Sequence, residues 1–467
     1  MAMEYVSTRG EAPVLGFSDV LLLGLARDGG LYVPREWPQF SPQEIRALRG
    51  LPYPKIAFAL LKPFIGGEIP DAILNRIIEE SYATFRHKAV CPLVQTGPGE
   101  FVLELFHGPT LAFKDVAMQF LARVMDHVLA ERGRRVTIVG ATSGDTGGAA
   151  IHAFAHSKRA DVFILFPHGR VSPVQQRQMT VSGAANVQAL AIEGTFDDCQ
   201  ALVKGLFNDH DFRDRMSLSG VNSINWARIM AQIVYYFSSA LSLGSPDRPV
   251  SFTVPTGNFG DIFAGYAAKR MGLPIDRLII ATNENDILAR TLATGEYATR
   301  PVVATTSPSM DIQVSSNFER LLFEASGRKA EEVRAYMDGL SQSGSFTIRE
   351  GALTRIRDEF GAGRADIGET AETIRQTLQE SGYLADPHTA TALSVSRAAA
   401  RPGEAMIVLS TAHPAKFPQA VLEACGVSPE LPVWLRGLLE GEEKYSVLPS
   451  DLKIVEDHIS RHARAGG

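Results

Sequence analysis

The sequence predicts an α/β enzyme built on parallel strands, and two observations carry that expectation. Three separate stretches share one form: a short β-rich apolar run, a loop of small residues, then an amphipathic helical pattern, as strand-to-helix units require. The chain has 467 residues, enough for two or three domains, and its 45% hydrophobic and 21% charged residues suit a chain that buries ordinary cores.

In chain order, residues 1–90 are punctuated at Gly29-Gly30, Pro34, Pro38, Pro42, Pro52, Pro54 and Gly66-Gly67, and then give one helical pattern from Ile73 to Phe85. They are expected to form an N-terminal module of short helices. Residues 91–245 and 246–467 are expected to form two α/β domains. The first unit is Val136 to Val139, the loop Gly140 to Gly148 and a helix from Ala149 to His156. The second is Val250 to Val254, the loop Pro255 to Gly260 and a helix from Asp261 to Arg270. The third is Met406 to Leu409, the loop Ser410 to Pro414 and a helix from Ala415 to Ala424. Such loops lie at the carboxyl ends of parallel strands, where open α/β sheets bind ligands. Three loops are therefore expected at one crevice.

Charge and apolar patterning narrow the class. With 46 Lys and Arg against 52 Asp and Glu the formal charge is −6, so no basic excess exists to neutralise nucleic acid or an anionic membrane. The longest apolar stretch, Ile229 to Leu243, is shorter than a membrane span and contains Gln232 and three serines, and no charged-then-apolar leader precedes Glu4. Neither membrane insertion nor secretion is expected. Cys91, Cys199 and Cys425 are far apart and in no metal-ligand spacing, which predicts buried free thiols, no metal site and a cytoplasmic protein.

The loops suggest a chemistry. In Gly257-Asn258-Phe259-Gly260, glycines let backbone N–H groups converge at a helix N-terminus, which makes either an anion cradle or a plain tight turn. In Ser143 to Gly148, Asp145 or Thr146 either contacts a ligand or caps the helix. Neither loop is a Walker motif or has dinucleotide spacing, so ATPase and nicotinamide readings lose support. Lys114 opens a helical pattern from Phe113 to Ala130 and falls on its apolar stripe with Ala117, Leu121, Val124 and Val128. A lysine there ordinarily snorkels to solvent. Desolvated instead, its amine would be free to form a Schiff base, with Lys416 the second candidate. Such a lysine and a phosphate cradle are the minimum equipment for pyridoxal phosphate, and Thr411, just past a strand, offers a neutral hydroxyl to the ring nitrogen.

Taken together, His107-Gly108-Pro109-Thr110-Leu111-Ala112-Phe113-Lys114-Asp115, Ala141 to Gly148, Gly257 to Asp261 and Ser410 to Lys416 resemble threonine synthase of the long bacterial and fungal type. Tyr5 to Gly10, Asp28 to Pro34, Ser307 to Ile312 and Ser316 to Arg320 resemble further family segments. The resemblance implies a fold type II pyridoxal phosphate enzyme, tryptophan synthase beta-like, with two three-layer α/β domains and an N-terminal module. It implies conversion of O-phospho-L-homoserine and water into L-threonine and phosphate, the last step of threonine biosynthesis, by a monomer or homodimer. By the same resemblance Lys114 binds the cofactor and moves the Cα and Cβ protons. Gly257, Asn258, Phe259 and Gly260 hold the cofactor phosphate, and Thr411 holds the ring nitrogen. Thr142, Ser143, Gly144, Asp145, Thr146 and Gly147 would take the substrate carboxylate, and Asn222, Ser223, Asn225 and Arg228 the substrate phosphate. Dehydratases or a phospholyase of the same fold, and a cofactor-binding protein without turnover, are the competing readings.

Overall fold

The computed structural model describes residues 3–155 and 157–465. Its two main sheets are built as the apolar runs require. A six-stranded sheet runs Phe360–Arg364, Ile275–Thr282, Val250–Pro255, Met406–Ser410, Glu100–Glu104, Leu93–Gly97, parallel throughout except for the last pair. A five-stranded parallel sheet runs Ser446–Pro449, Val187–Glu193, Ala160–Pro167, Val136–Ala141, Leu218–Ser219. Every residue of Ala160–Pro167 and of Val250–Pro255 is buried, as parallel strands covered by helices on both faces must be.

All three predicted units form. Val136–Ala141 leads into the helix Asp145–Phe154; the predicted end at His156 lies outside the described residues. Val250–Pro255 leads into Gly260–Arg270. After Met406–Ser410 the single helix expected from Ala415 to Ala424 is split into a 3₁₀ turn, Pro414–Lys416, and a helix, Pro418–Cys425. Pro418 causes the break, since its ring disfavours the helical region for the residue before it, and Phe417 sits at φ −128°, ψ 51°.

Sheet membership does not follow the linear division at residue 245. Leu93–Gly97 and Glu100–Glu104 belong to the six-stranded sheet, where Val102 lies opposite Val408. Ser446–Pro449 returns to pair with Val187–Glu193. Parallel strands need crossover connections, so pairing is settled by apolar register and not by chain order.

The N-terminal module holds a longer helix than its prolines predict, Tyr53–Ile65. Pro52 caps it, Pro54 falls in the first turn where no N–H is needed, and only Pro63 is interior. The module packs on the helix Trp226–Ser242, with Phe64 and Trp226 ring centroids 5.6 Å apart and the Tyr5 hydroxyl donating to the Phe64 carbonyl at 2.6 Å. That central helix is buried at nearly every residue, so the longest apolar stretch is core. No helix among the described residues is long and apolar enough to cross a membrane. Cys91 and Cys199 are buried thiols, whereas Cys425 is only half-buried, near the end of its helix.

Candidate active site

Lys114 begins the helix Lys114–Glu131, and the segment before it is stapled to the third strand-end loop. The Phe113 N–H donates to the Thr411 carbonyl at 2.8 Å, the His413 N–H donates to the Leu111 carbonyl at 3.0 Å, and Ala112 bridges to Ala412. Leu111, in the left-handed region at φ 59°, turns the chain into the helix. The lysine does not snorkel. It is 9% exposed, its Nζ lies 4.8 Å from the Phe113 ring centroid and 3.6 Å from Asp145 Oδ2. Desolvation pushes the amine below the ordinary lysine range, with help from the fields of Lys416 and Arg228 and against that of Asp145.

The loop after Val136–Ala141 is shaped by its own side chains. The Thr142 hydroxyl accepts from the N–H groups of Gly144 at 3.0 Å and Gly147 at 2.9 Å and so braces the loop. Gly144 sits at φ 140°, and a Cβ there would lie 2.4 Å from Gln175 Cδ. Asp145 Oδ1 accepts from Lys416 Nζ at 2.7 Å and Gln175 Nε2 at 2.8 Å. Burial works to raise this carboxyl, but Lys416 and Lys114 outweigh it and hold it below the usual carboxylate range. The Asp145 side chain is thus turned to the two lysines. Ser143 and Thr146 are half-buried, and their hydroxyls have no partner among the described residues. They remain as donors beside the N-terminus of Asp145–Phe154.

The Gly257 to Gly260 loop has the features of an anion cradle. The N–H groups of Asn258, Phe259 and Gly260 have no partner among the described residues, at the start of an eleven-residue helix. Phe259 is left-handed at φ 63° and is held there by Phe318 and Phe360, with ring centroids at 5.3 and 5.7 Å. Ser315 Oγ donates to the Gly257 carbonyl at 2.7 Å, and the Asn317 amide donates to the Asn258 carbonyl at 3.0 Å and the Ser223 carbonyl at 3.3 Å. Asn317 thus ties the cradle to the segment that carries Arg228. Asn317 falls in the family-like run Ser316 to Arg320, whereas Ser315 carries no signal in the sequence. Beside the cradle, Asp261 is buried, takes the Tyr235 and Tyr236 hydroxyls on Oδ1 at 2.5 and 3.0 Å, leaves Oδ2 unpartnered, and is pushed up to about 6 by desolvation.

Arg228 lies in the first turn of Trp226–Ser242. Asn225 caps that helix, accepting from the Ala227 N–H at 3.0 Å and donating to the Leu21 carbonyl at 2.9 Å. Asn222 is exposed and Ser223 half-buried, and neither side chain has a partner among the described residues. Arg228 itself is 3% exposed, reaches only the Val221 carbonyl from Nη1 at 3.3 Å, and leaves Nε with no partner. Burial pushes it down to about 10. Its neighbour Arg320 is equally buried but fully employed, donating to Tyr32 O, Ile224 O and Asn317 Oδ1. A buried guanidinium without a carboxylate is a binding position for an anion.

These groups fit pyridoxal phosphate: a desolvated amine, unpartnered N–H groups at a helix N-terminus, and the Thr411 hydroxyl, 6% exposed and without a partner among the described residues. Gly257 fits as well, since a Cβ there would lie 2.6 Å from the Ser309 carbonyl oxygen.

Comparison with known proteins agrees with this geometry. The family models "Threonine synthase N terminus", "Pyridoxal-phosphate dependent enzyme" and "Threonine synthase, C-terminal" match residues 4–82, 95–338 and 389–459. The chain is 52% identical over 466 residues to threonine synthase of Pseudomonas aeruginosa, covering 99% of both chains. The crystal structure of pyridoxal-phosphate-bound threonine synthase from Brucella melitensis is 68% identical, with a TM-score of 0.98 over 99% of this chain and 100% of that one. Yeast threonine synthase superposes with a TM-score of 0.94 at 41% identity, covering 99% of each chain. With matches at this identity running the length of the chain and a site that fits the cofactor, the chain belongs to the threonine synthase family of pyridoxal-phosphate-dependent enzymes.

Proposed function

We propose that this chain is a threonine synthase, converting O-phospho-L-homoserine and water into L-threonine and phosphate with pyridoxal phosphate, the last step of threonine biosynthesis. The observation that carries the substrate is Arg228, buried with a free Nε and no carboxylate partner among the described residues, its charge acting on Lys114. An enzyme that needed only the cofactor would have no use for a second anion position.

In this reading Lys114 holds the cofactor covalently, Gly257 to Gly260 its phosphate, and Thr411 its ring nitrogen through a neutral hydroxyl. When bound, the cofactor supplies an electron sink for negative charge developing at the substrate Cα. Lys114 takes the Cα proton and then moves a proton at Cβ; its desolvated amine is neutral over a wider pH range than an exposed lysine. Ser143 and Thr146 orient the substrate carboxylate. Arg228, with Ser223 and Asn222, donates to the phosphate as charge grows on the departing oxygen, where a guanidinium fork is most effective. The acidic charge balance supports a small-molecule substrate with no nucleic acid partner, and the scattered free cysteines support a cytoplasmic setting.

The test is product analysis with purified protein, pyridoxal phosphate and O-phospho-L-homoserine. Threonine and phosphate in equal amounts are expected, and both lost in Lys114→Ala. Phosphate with 2-oxobutanoate in place of threonine would favour the phospholyase reading, and no release of phosphate would refute the assignment.

A further inference from the structure

Lys416 is the most thoroughly enclosed lysine near the site, and the reaction as described does not use it. It is 0% exposed, and its Nζ makes two bonds, to Asp145 Oδ1 at 2.7 Å and to the Thr110 carbonyl at 2.8 Å. Both bonds engage Nζ as a donor to fixed acceptors, which makes Lys416 the poorer candidate for covalent attachment. Its partner Asp145 begins the helix Asp145–Phe154, with Gln175 Nε2 on the same oxygen, so Oδ1 is saturated and Oδ2 is left facing Lys114 Nζ at 3.6 Å. Thr110 is a junction as well. Its carbonyl also accepts from Gln178 Nε2 at 3.0 Å, and its N–H and hydroxyl bind Asp115, the residue after Lys114.

We propose that Lys416 and Asp145 form a fixed ion pair with one carboxylate oxygen turned to Lys114, and that this pair sets when Lys114 Nζ, free or linked to the cofactor, takes up and gives up its proton. The proposal rests on Lys114 being the cofactor lysine. Lys114 alternates between amine and ammonium as it moves substrate protons, and each ammonium must be accommodated at a buried position. Asp145 Oδ2 supplies the counter-charge at a fixed distance. Lys416 keeps Asp145 ionised and shares its charge, which prevents Asp145 from holding the Lys114 proton too tightly. The proton leaves Cα, resides on Lys114 Nζ and is returned to substrate; Asp145 stays anionic throughout. The other charges facing Lys114 are Arg228 from the helix Trp226–Ser242 and Asp261 from Gly260–Arg270, while Asp115 faces the pair from the helix of Lys114 itself. Asp145 is the nearest of them to Nζ and the only one in contact with it.

The experiment is a pH titration of the visible absorbance of the Lys114–cofactor linkage in holoenzyme. It is read in wild type, Lys416→Met, Asp145→Asn, the neutral amide pair Asp145→Asn/Lys416→Gln, and Lys416→Arg. Removing Lys416 strengthens the hold of Asp145 on the Lys114 proton, so the midpoint of Lys416→Met should rise by about one unit, and that of Asp145→Asn should fall by a similar amount. The double variant should lie between wild type and Asp145→Asn, and Lys416→Arg should restore the wild-type midpoint. Should Lys416→Met not fold, the double variant decides: a midpoint equal to wild type, or below that of Asp145→Asn, overturns the proposal. Single variants indistinguishable from wild type overturn it too. A second readout, the pH dependence of reductive methylation of Lys114 in the cofactor-free full chain, should shift in the same order. Because neither readout needs turnover, failure of the threonine assay and failure of this order are separate results.

Discussion

Arg228 should behave as a residue that stability would be better without and activity cannot do without. Its guanidinium is 3% exposed, one donor reaches a carbonyl at 3.3 Å, and among the described residues Nε has no partner and no carboxylate balances its charge. Arg228→Met keeps an apolar stem of similar length and removes the unbalanced charge. Hydrogen bonds to a charged group contribute about 1.5–3 kcal/mol each, so losing a two-pronged contact to phosphate amounts to about 3–6 kcal/mol, or roughly two to four decades in kcat/KM. Removing an uncompensated buried cation should at the same time leave the cofactor-free Tm unchanged or raised. The assay pairs phosphate release from O-phospho-L-homoserine with inhibition by L-homoserine, which lacks the phosphate. Substrate efficiency should collapse while homoserine inhibition stays within a few-fold. Equal losses for both ligands, with a lowered Tm, would mean that Arg228 is a structural strut like Arg320 and would refute the reasoning.

Three further outcomes are expected. Asp261 is pushed up to about 6 from 3.8, so the folded state favours its protonated form; its contribution to stability is full below its ordinary range and is lost as pH rises through about 6. The stability difference between cofactor-free wild type and Asp261→Asn, read by denaturant titration, should therefore change by about 2 kcal/mol between pH 4 and pH 7, wild type losing ground as pH rises, and a pH-independent difference would contradict this. Gly257→Ala places a Cβ 2.6 Å from the Ser309 carbonyl oxygen, which must move the cradle, so cofactor retention on dialysis should drop at least about tenfold; wild-type retention would show that the loop is an ordinary turn. Thr411→Val removes a hydroxyl that has no partner among the described residues, so the cofactor-free Tm should hold or rise while cofactor retention and turnover fall. A drop in Tm alone would make Thr411 structural.

What the sequence made legible was local. The three strand-loop-helix units, the glycine loop at Gly257 to Gly260 and the placement of Lys114 on an apolar stripe all depend on residues within about twenty positions of one another. The fold keeps them, down to Lys114 as the first residue of its helix. What stayed hidden depended on contacts made across the chain. Asp145 reads as a loop or capping residue until Lys416, from the opposite end of the sequence, is found on its Oδ1. Asn225 reads as a polar donor beside Arg228 until Leu21 of the N-terminal module is found on its amide. The Tyr53–Ile65 helix was concealed by its own prolines, two of which fall where a helix tolerates them. The pairing of Glu100–Glu104 with Met406–Ser410 has no local signature, because parallel register is fixed by packing on both faces.

The central claim is that phosphate leaves from Cγ and water then adds at Cβ of the same molecule. Turnover of O-phospho-L-homoserine in heavy-oxygen water, with both products examined by mass spectrometry, tests it directly. The account predicts one heavy oxygen in threonine, in its side-chain hydroxyl, and none in the released phosphate, because the bond broken is Cγ–O. Heavy oxygen in the phosphate, with homoserine as the other product, would mean simple hydrolysis at phosphorus and would contradict the account.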